Sequence, residues 1–245
     1  MPSTKVYLLL CFLCTTPFKV LEGQVISDEN PTDYPYLVKL LLTRSAPWIT
    51  IPGLVVSSQI VLTSSLASYA MYTDVTVVDQ LGVARPAAKS VNIVLDAFTY
   101  YKVCRKFQGV ENYYSLNESS FNDLSASVPD AQLVFYNTSS PIPRNVTVSV
   151  MSEDECLATF STAPVDVSEV ICMTGQTAPG FCAPFVDDAG SYVLYPVIAI
   201  GGQVHGFTSL VGCSGSFLTG ERWVFTRIAH FRENLTMALS QVVNY

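Results

Sequence analysis

Histidine is nearly absent from this chain. The 245 residues contain two, His205 and His230. So few imidazoles leave little material for histidine-dependent chemistry, and no Cys/His cluster has the spacing of a metal site. Neither a metal nor any other cofactor is expected. Charge is also sparse, with 13 Lys and Arg against 20 Asp and Glu. An acidic chain with no basic cluster argues against nucleic acid and against anionic membrane surfaces. Apolar runs are short. After the N-terminal segment none approaches the ~18 residues of a membrane-spanning helix, so no membrane span is expected. The absence of low-complexity tracts and of repeats with a solenoid period argues against disorder and repeat architectures.

About half of the residues are hydrophobic, enough for one large core or two small ones. Residues 1–23 read as a signal peptide: Lys5 is the basic flank and Val6 to Cys14 the short apolar core. Removing it takes away Lys5, Lys19 and Glu22, leaving 11 basic and 19 acidic residues, a net charge of −8. A secreted, extracellular location makes cysteines disulfide candidates. Five remain after the signal peptide: Cys104, Cys156, Cys172, Cys182 and Cys213. The odd number leaves one thiol free or bridged to another chain. N-x-S/T sequons at Asn117, Asn137, Asn145 and Asn234 predict a glycosylated surface.

Short runs rich in β-branched residues recur along the chain. They are Pro35 to Leu42, Trp48 to Val56, Gln59 to Thr63, Val75 to Asp79, Lys89 to Leu95, Gln132 to Tyr136, Val146 to Val150, Tyr192 to Ile200, Gln203 to Ser209 and Arg222 to Thr226. Many short strands with turn residues between them read as an all-β sandwich or barrel. Two stretches favour helix. Glu153 to Phe160 follows a Ser152 N-cap and has acidic residues in its first turn. Ala229 to Val243 carries Phe231, Leu235, Leu239 and Val243 at helical spacing.

The segment G-F-C-A-P-F-V-D-D-A-G-S-Y-V-L, Gly180 to Leu194, resembles the nucleophile loop C-x-G-D-S-G-G-P of chymotrypsin-like serine proteases. Five further stretches resemble that family in the same order. P-Y-L-V-K-L is similar to its first strand, and V-V-S-S-Q-I-V-L-T-S-S-L-A (Val55 to Ala67) to L-I-S-x-x-W-V-L-T-A-A-H-C. D-A-Q-L-V (Asp130 to Val134) resembles D-I-A-L-L. G-F-T-S-L-V-G-C (Gly206 to Cys213) resembles G-I-V-S-W-G-x-G-C, and W-V-F-T-R-I (Trp223 to Ile228) resembles G-V-Y-T-R-V. The resemblance implies two six-stranded antiparallel β-barrels with a C-terminal α-helix in a single peptidase-like domain, residues 24–245. The barrels are expected at about 34–130 and 131–228, and the helix at 229–243. Retained bridges would be Cys156–Cys172 and Cys182–Cys213. A third family bridge would be lost, its slots holding Ile51 and Ala67. Cys104 has no family partner and is expected as a buried thiol or an intermolecular bridge.

The family's chemistry needs a serine, a histidine and an aspartate acting together. The resemblance puts Leu66 in the histidine slot, Asp130 in the aspartate slot and Ala189 in the serine slot. An alanine methyl cannot attack a carbonyl, and a leucine cannot take a proton. Ser64, Ser65 and Ser191 lie near these slots, but a serine without a base is a poor nucleophile. Asp187 would repel a developing oxyanion. No basic residue precedes Val25-Ile26-Ser27-Asp28 to mark an activating cut, and Gly180 offers no charge for a basic substrate side chain. The expected function is therefore non-catalytic: a secreted serine protease homologue that binds an extracellular protein, a protease or its regulator. The alternatives are an active hydrolase with a rearranged site and a structural secreted glycoprotein.

Overall fold

The computed structural model describes residues 27–28, 33–43, 49–65, 74–94, 97–107, 113–116, 128–136, 139–159, 166–174, 185–186, 192–193, 196–208 and 222–243. The expected signal peptide lies outside them. In chain order β1 is Ser27–Asp28, β2 Leu37–Thr43, β3 Ile49–Ser57, β4 Ile60–Ser64, β5 Asp74–Val78, β6 Ala84–Val94 and β7 Phe98–Val103. There follow β8 (Val128–Phe135), β9 (Arg144–Val150), α1 (Glu153–Thr159), β10 (Val170–Thr174), β11 (Phe185–Val186) and β12 (Tyr192–Val193). β13 (Val197–Ile200), β14 (Gln203–Thr208), β15 (Arg222–Arg227) and α2 (Arg232–Val243) complete the order.

Strands β2-β3-β4-β7-β6-β5 close into one antiparallel ring. A second ring runs β8-β9-β10-β15-β14-β13 and returns to β8, with β1 added to β9 through Ser27↔Asn145 and Asp28↔Arg144. Closing each sheet on itself removes the unpaired edges that invite aggregation. The fold is thus the pair of six-stranded barrels with a C-terminal helix that the resemblance implies.

Each strand shows why it sits where it does. The I-V-L-T-S of β4 is buried along its whole length, as befits a strand covered on both faces. In β9, Val146, Val148 and Val150 point inward while Thr147 and Ser149 are exposed, the period-2 pattern of a barrel wall. Leu40, Ile51, Val55, Val61, Val77 and Tyr101 fill the first ring, and Leu133, Phe135, Val148, Ile171, Ile198 and Phe225 the second. Gly53 is required for that packing: a Cβ there would lie 2.4 Å from Leu40 Cδ1 and 2.6 Å from Val61 Cγ1.

Several sequence expectations need correction. β7 and β10 were not anticipated. The expected strand Tyr192 to Ile200 is two strands: β12 pairs with β11, whereas β13 pairs with β8 and β14. Pro196 precedes β13 and cannot donate to a ladder. β8 starts at Val128 and is the first strand of the second ring, ahead of the expected boundary. α2 starts at Arg232, because Phe231 N–H bonds Ile228 O and Arg232 N–H bonds Ala229 O in a preceding turn. Of the two expected helices, α1 has the predicted cap. Ser152 Oγ accepts from Glu155 N–H at 3.3 Å and Ser152 N–H donates to Glu155 Oε2 at 2.9 Å, a reciprocal capping box.

Candidate functional site

The two rings meet along a seam where a cleft enzyme would place its chemistry. β4 and β14 bring their C-terminal ends together there. Ser64 Oγ donates to Thr208 O at 3.4 Å, and Thr208 Oγ1 donates in turn to Pro196 O. Ser65 N–H donates to Ala97 O at 3.0 Å, which fixes the start of β7 against the end of β4. Ser64, Ser65, Thr99 and Thr208 are all buried, Ser65 at 3% exposure. Behind them Phe98 sits edge-on to Phe207 at 5.9 Å and to Phe231 at 5.4 Å between ring centroids. Both barrels and the turn that leads into α2 therefore share one aromatic core.

Tyrosine hydroxyls tie the seam further. Tyr100 donates to Leu235 O at 2.8 Å and Tyr114 to Val204 O at 2.6 Å, and Lys39 Nζ reaches Ser140 O at 2.8 Å. Burial raises the Tyr100 and Tyr101 hydroxyls, the latter to about 12, and lowers the Lys39 ammonium from 10.5. These are structural groups held by desolvation. Both tyrosine hydroxyls are thereby moved further from neutral pH.

The aspartate assignment is overturned by strand pairing. A carboxylate that orients the residue after Ser65 has to come from the strand beside β4. That strand is β7, with Ser64↔Phe98 in register. Asp130 is instead on β8, exposed, at a register irregularity between Val128 and Ala131 opposite β9. The described residue nearest the aspartate slot is Ala97. Asp96, directly before it, lies outside the described residues, as do Leu66, Ala189, Gly180 and Asp187. D-A-Q-L-V imitates the family pattern, but F-T-Y-Y-K-V is the strand in that place. Only the pairing distinguishes them.

Neither imidazole lies on β4 or β7. His205 is on β14, buried, and hydrogen-bonded to the Ile200 backbone. Desolvation, aided by nearby Arg227, holds its ring below the usual 6.5 against that hydrogen bond. His230 is exposed in the turn before α2, 3.7 Å from Glu169, with its ring against Phe231. Among the described residues, no group of three or more His, Cys, Asp or Glu could hold a metal ion.

The remaining assignments divide. Cys156 and Cys172 form a disulfide joining α1 to β10, with Cα atoms 5.7 Å apart. Cys182 and Cys213 lie outside the described residues. Cys104 is a free thiol and exposed, which corrects the expectation of burial. Asn145 is 8% exposed, on β9 between β1 and β8. A glycan has no room there, contrary to the expectation from the sequon. Asn234 is half-buried in the first turn of α2, and Asn117 and Asn137 lie outside the described residues.

No protein-family model and no curated protein matches this sequence. Solved structures do match. The Vibrio cholerae VesB protease is 16% identical with a TM-score of 0.63, covering 88% of this chain and 67% of that one. The scabies mite inactivated protease paralogue S-I1 is 12% identical with a TM-score of 0.64, over 88% of this chain and 98% of that one. Its relative S-D1 is 14% identical with a TM-score of 0.61, over 87% and 96%. Active and inactivated proteins thus share this architecture, and the chain has the fold of the chymotrypsin-like serine proteases.

Proposed function

We propose that the chain is a secreted, non-catalytic serine protease homologue that acts by binding an extracellular protein, a protease or its regulator. The observation that carries this reading is the seam. The segment that would present the catalytic histidine runs Ser64, Ser65, Leu66, and its two serines are buried in contacts to the opposite barrel and to β7. A nucleophile has to meet a substrate arriving from solvent, and Ser65 does not. Leu66 in the histidine slot and Ala189 in the serine slot point the same way. Losing the serine or the histidine alone costs the Ser-His-Asp triad of subtilisin, which has a different fold, on the order of a millionfold in turnover.

The mature chain is proposed to carry glycans at Asn117, Asn137 and Asn234 and a second disulfide, Cys182–Cys213. Exposed Cys104 is open to an intermolecular bridge. No helix among the described residues is long and apolar enough to cross a membrane.

The test is affinity purification from the secreting fluid together with turnover assays on peptide and ester substrates. The binding reading predicts reproducible recovery of a specific partner and no turnover. Recovery of nothing specific would favour a structural glycoprotein. Turnover lost on Ser191→Ala or Ser65→Ala would establish a rearranged hydrolase.

A further inference from the structure

The binding reading leaves open which face binds, and the inference below rests on that reading. Among the described residues the most exposed large apolar side chain is Leu81, at 77%, on the turn between β5 and β6; Val83, two residues on in the same turn, is 48% exposed, less than Met237 and Leu157 elsewhere. Scattered surface leucines need no explanation. This pair differs in how firmly it is held. Asp79 Oδ1 accepts from Leu81 N–H at 3.0 Å and from Val83 N–H at 2.9 Å, and Asp79 O accepts from Gly82 N–H. Gly82 takes a φ of 80°, which a side chain would resist. Buried Arg85 donates to Asp79 Oδ2 at 2.6 Å and to Val83 O at 3.0 Å. The tip is thus a rigid frame with its apolar side chains turned outward.

Arg85 also links the tip to a second feature. Its guanidinium lies 4.7 Å from the centre of the Phe107 ring. Just before Phe107 the bend Cys104-Arg105-Lys106 is exposed, and Cys104 N–H donates to Pro86 O on β6. Exposed Leu81, Val83, Ala84 and Pro86 therefore adjoin two exposed cations, with Lys102 close by on β7. Composition hides this run because it sits inside a chain of net charge −7. Asp79 and Arg85 neutralise each other internally, so among the described residues Arg105 and Lys106 set the sign of this face. Asp33, beside the Tyr34 whose carbonyl accepts from Gln80, marks its acidic margin.

We propose that the β5–β6 hairpin and the 104–106 bend form one preorganised docking surface for an acidic extracellular polypeptide with a bulky apolar side chain among its carboxylates. The cations supply steering and register, the two apolar side chains an anchor, and the hydrogen-bonded frame lowers the ordering cost of binding. A second copy docking face to face would set Arg105 and Lys106 of both chains together, which like charge disfavours. An anionic lipid surface is less suited, because clusters of about 4–8 cations mark such sites.

Selection of displayed random peptides on the mature glycoprotein tests this. The expected winners carry Asp or Glu flanking Leu, Ile, Phe or Trp. Their affinity, measured by calorimetry on synthetic peptides, should fall about tenfold on Leu81→Ser. It should fall at least as far on combined Arg105→Glu and Lys106→Glu, and weaken with added salt. All three positions are exposed, so an unchanged thermal midpoint verifies folding. Winners without acidic residues, or affinity indifferent to both variants, would overturn the proposal. So would phosphatidylserine vesicles binding this face in preference to the peptides. Such a failure leaves the non-catalytic reading intact. Uptake of a serine-directed label would instead remove that reading without altering peptide affinity at the hairpin.

Discussion

In the second ring a covalent bond holds α1 against the barrel: Cys156 to Cys172, beside buried Met151 and Val224. In the first ring the resemblance places a family cysteine where this chain has Ile51, and Ile51 is 1% exposed among Leu40, Val55 and Val61. One barrel is stapled by sulfur and the other relies on packing alone. For a secreted domain of this size both solutions are open, because a buried isoleucine and a short-loop disulfide contribute comparable free energies. The difference shows that a six-stranded ring can close without a bridge where packed apolar side chains fill its interior.

Changing each fastener in turn sharpens that comparison. Ile51→Ala should destabilise the protein by about 2–5 kcal/mol, because it opens a cavity in the unstapled ring. Denaturant unfolding with unchanged m-value reads the loss; a cost below about 1 kcal/mol would mean that Ile51 does not substitute for a bridge. Replacing both Cys156 and Cys172 by Ala should cost about 2–4 kcal/mol. The loss should fall on α1 and β10, and hydrogen exchange should show those elements opening while β2–β7 stay protected. Uniform loss of protection would show the rings to be one cooperative unit. Ser152→Ala removes one half of the capping box and should cost about 1 kcal/mol, readable as a small drop in thermal midpoint.

The smallest effect is a dependence on pH confined to the second ring. His205 has its folded pKa depressed below 6.5, so the unfolded chain binds the extra proton first. Its contribution to stability is complete above pH 6.5 and lost as pH falls through the folded pKa. His205→Phe should flatten the slope of stability against pH below 6.5. An unchanged slope would assign it to other groups.

How much of this was legible in the sequence follows from what each signal reports. Runs such as I-V-L-T-S and V-T-V-S-V state their burial in their own pattern, but they leave sandwich and barrel open, and the two rings came from the family resemblance. The S-E-D-E capping box is equally local. By contrast F-T-Y-Y-K-V mixes aromatics with polar residues in no clean alternation, since its two faces pack against different cores, and β7 was missed. The error at Asp130 has the same origin. D-A-Q-L-V fits a family pattern, but which strand lies beside β4 is set by pairing across the chain. The sequon at Asn145 is a chemical pattern blind to the β-strands on either side of it. Exposure of Cys104 follows from a bend held by Pro86 and Phe107, which no nearby residue announces.

The central claim is that the fold persists without the groups that carry out the family's reaction. Its most direct test is incubation of the purified mature protein with a fluorophosphonate probe, followed by mass spectrometry, with an active serine protease as control. The account predicts no adduct on any serine while the control is fully labelled. A stoichiometric adduct on a single serine of the folded protein would contradict it.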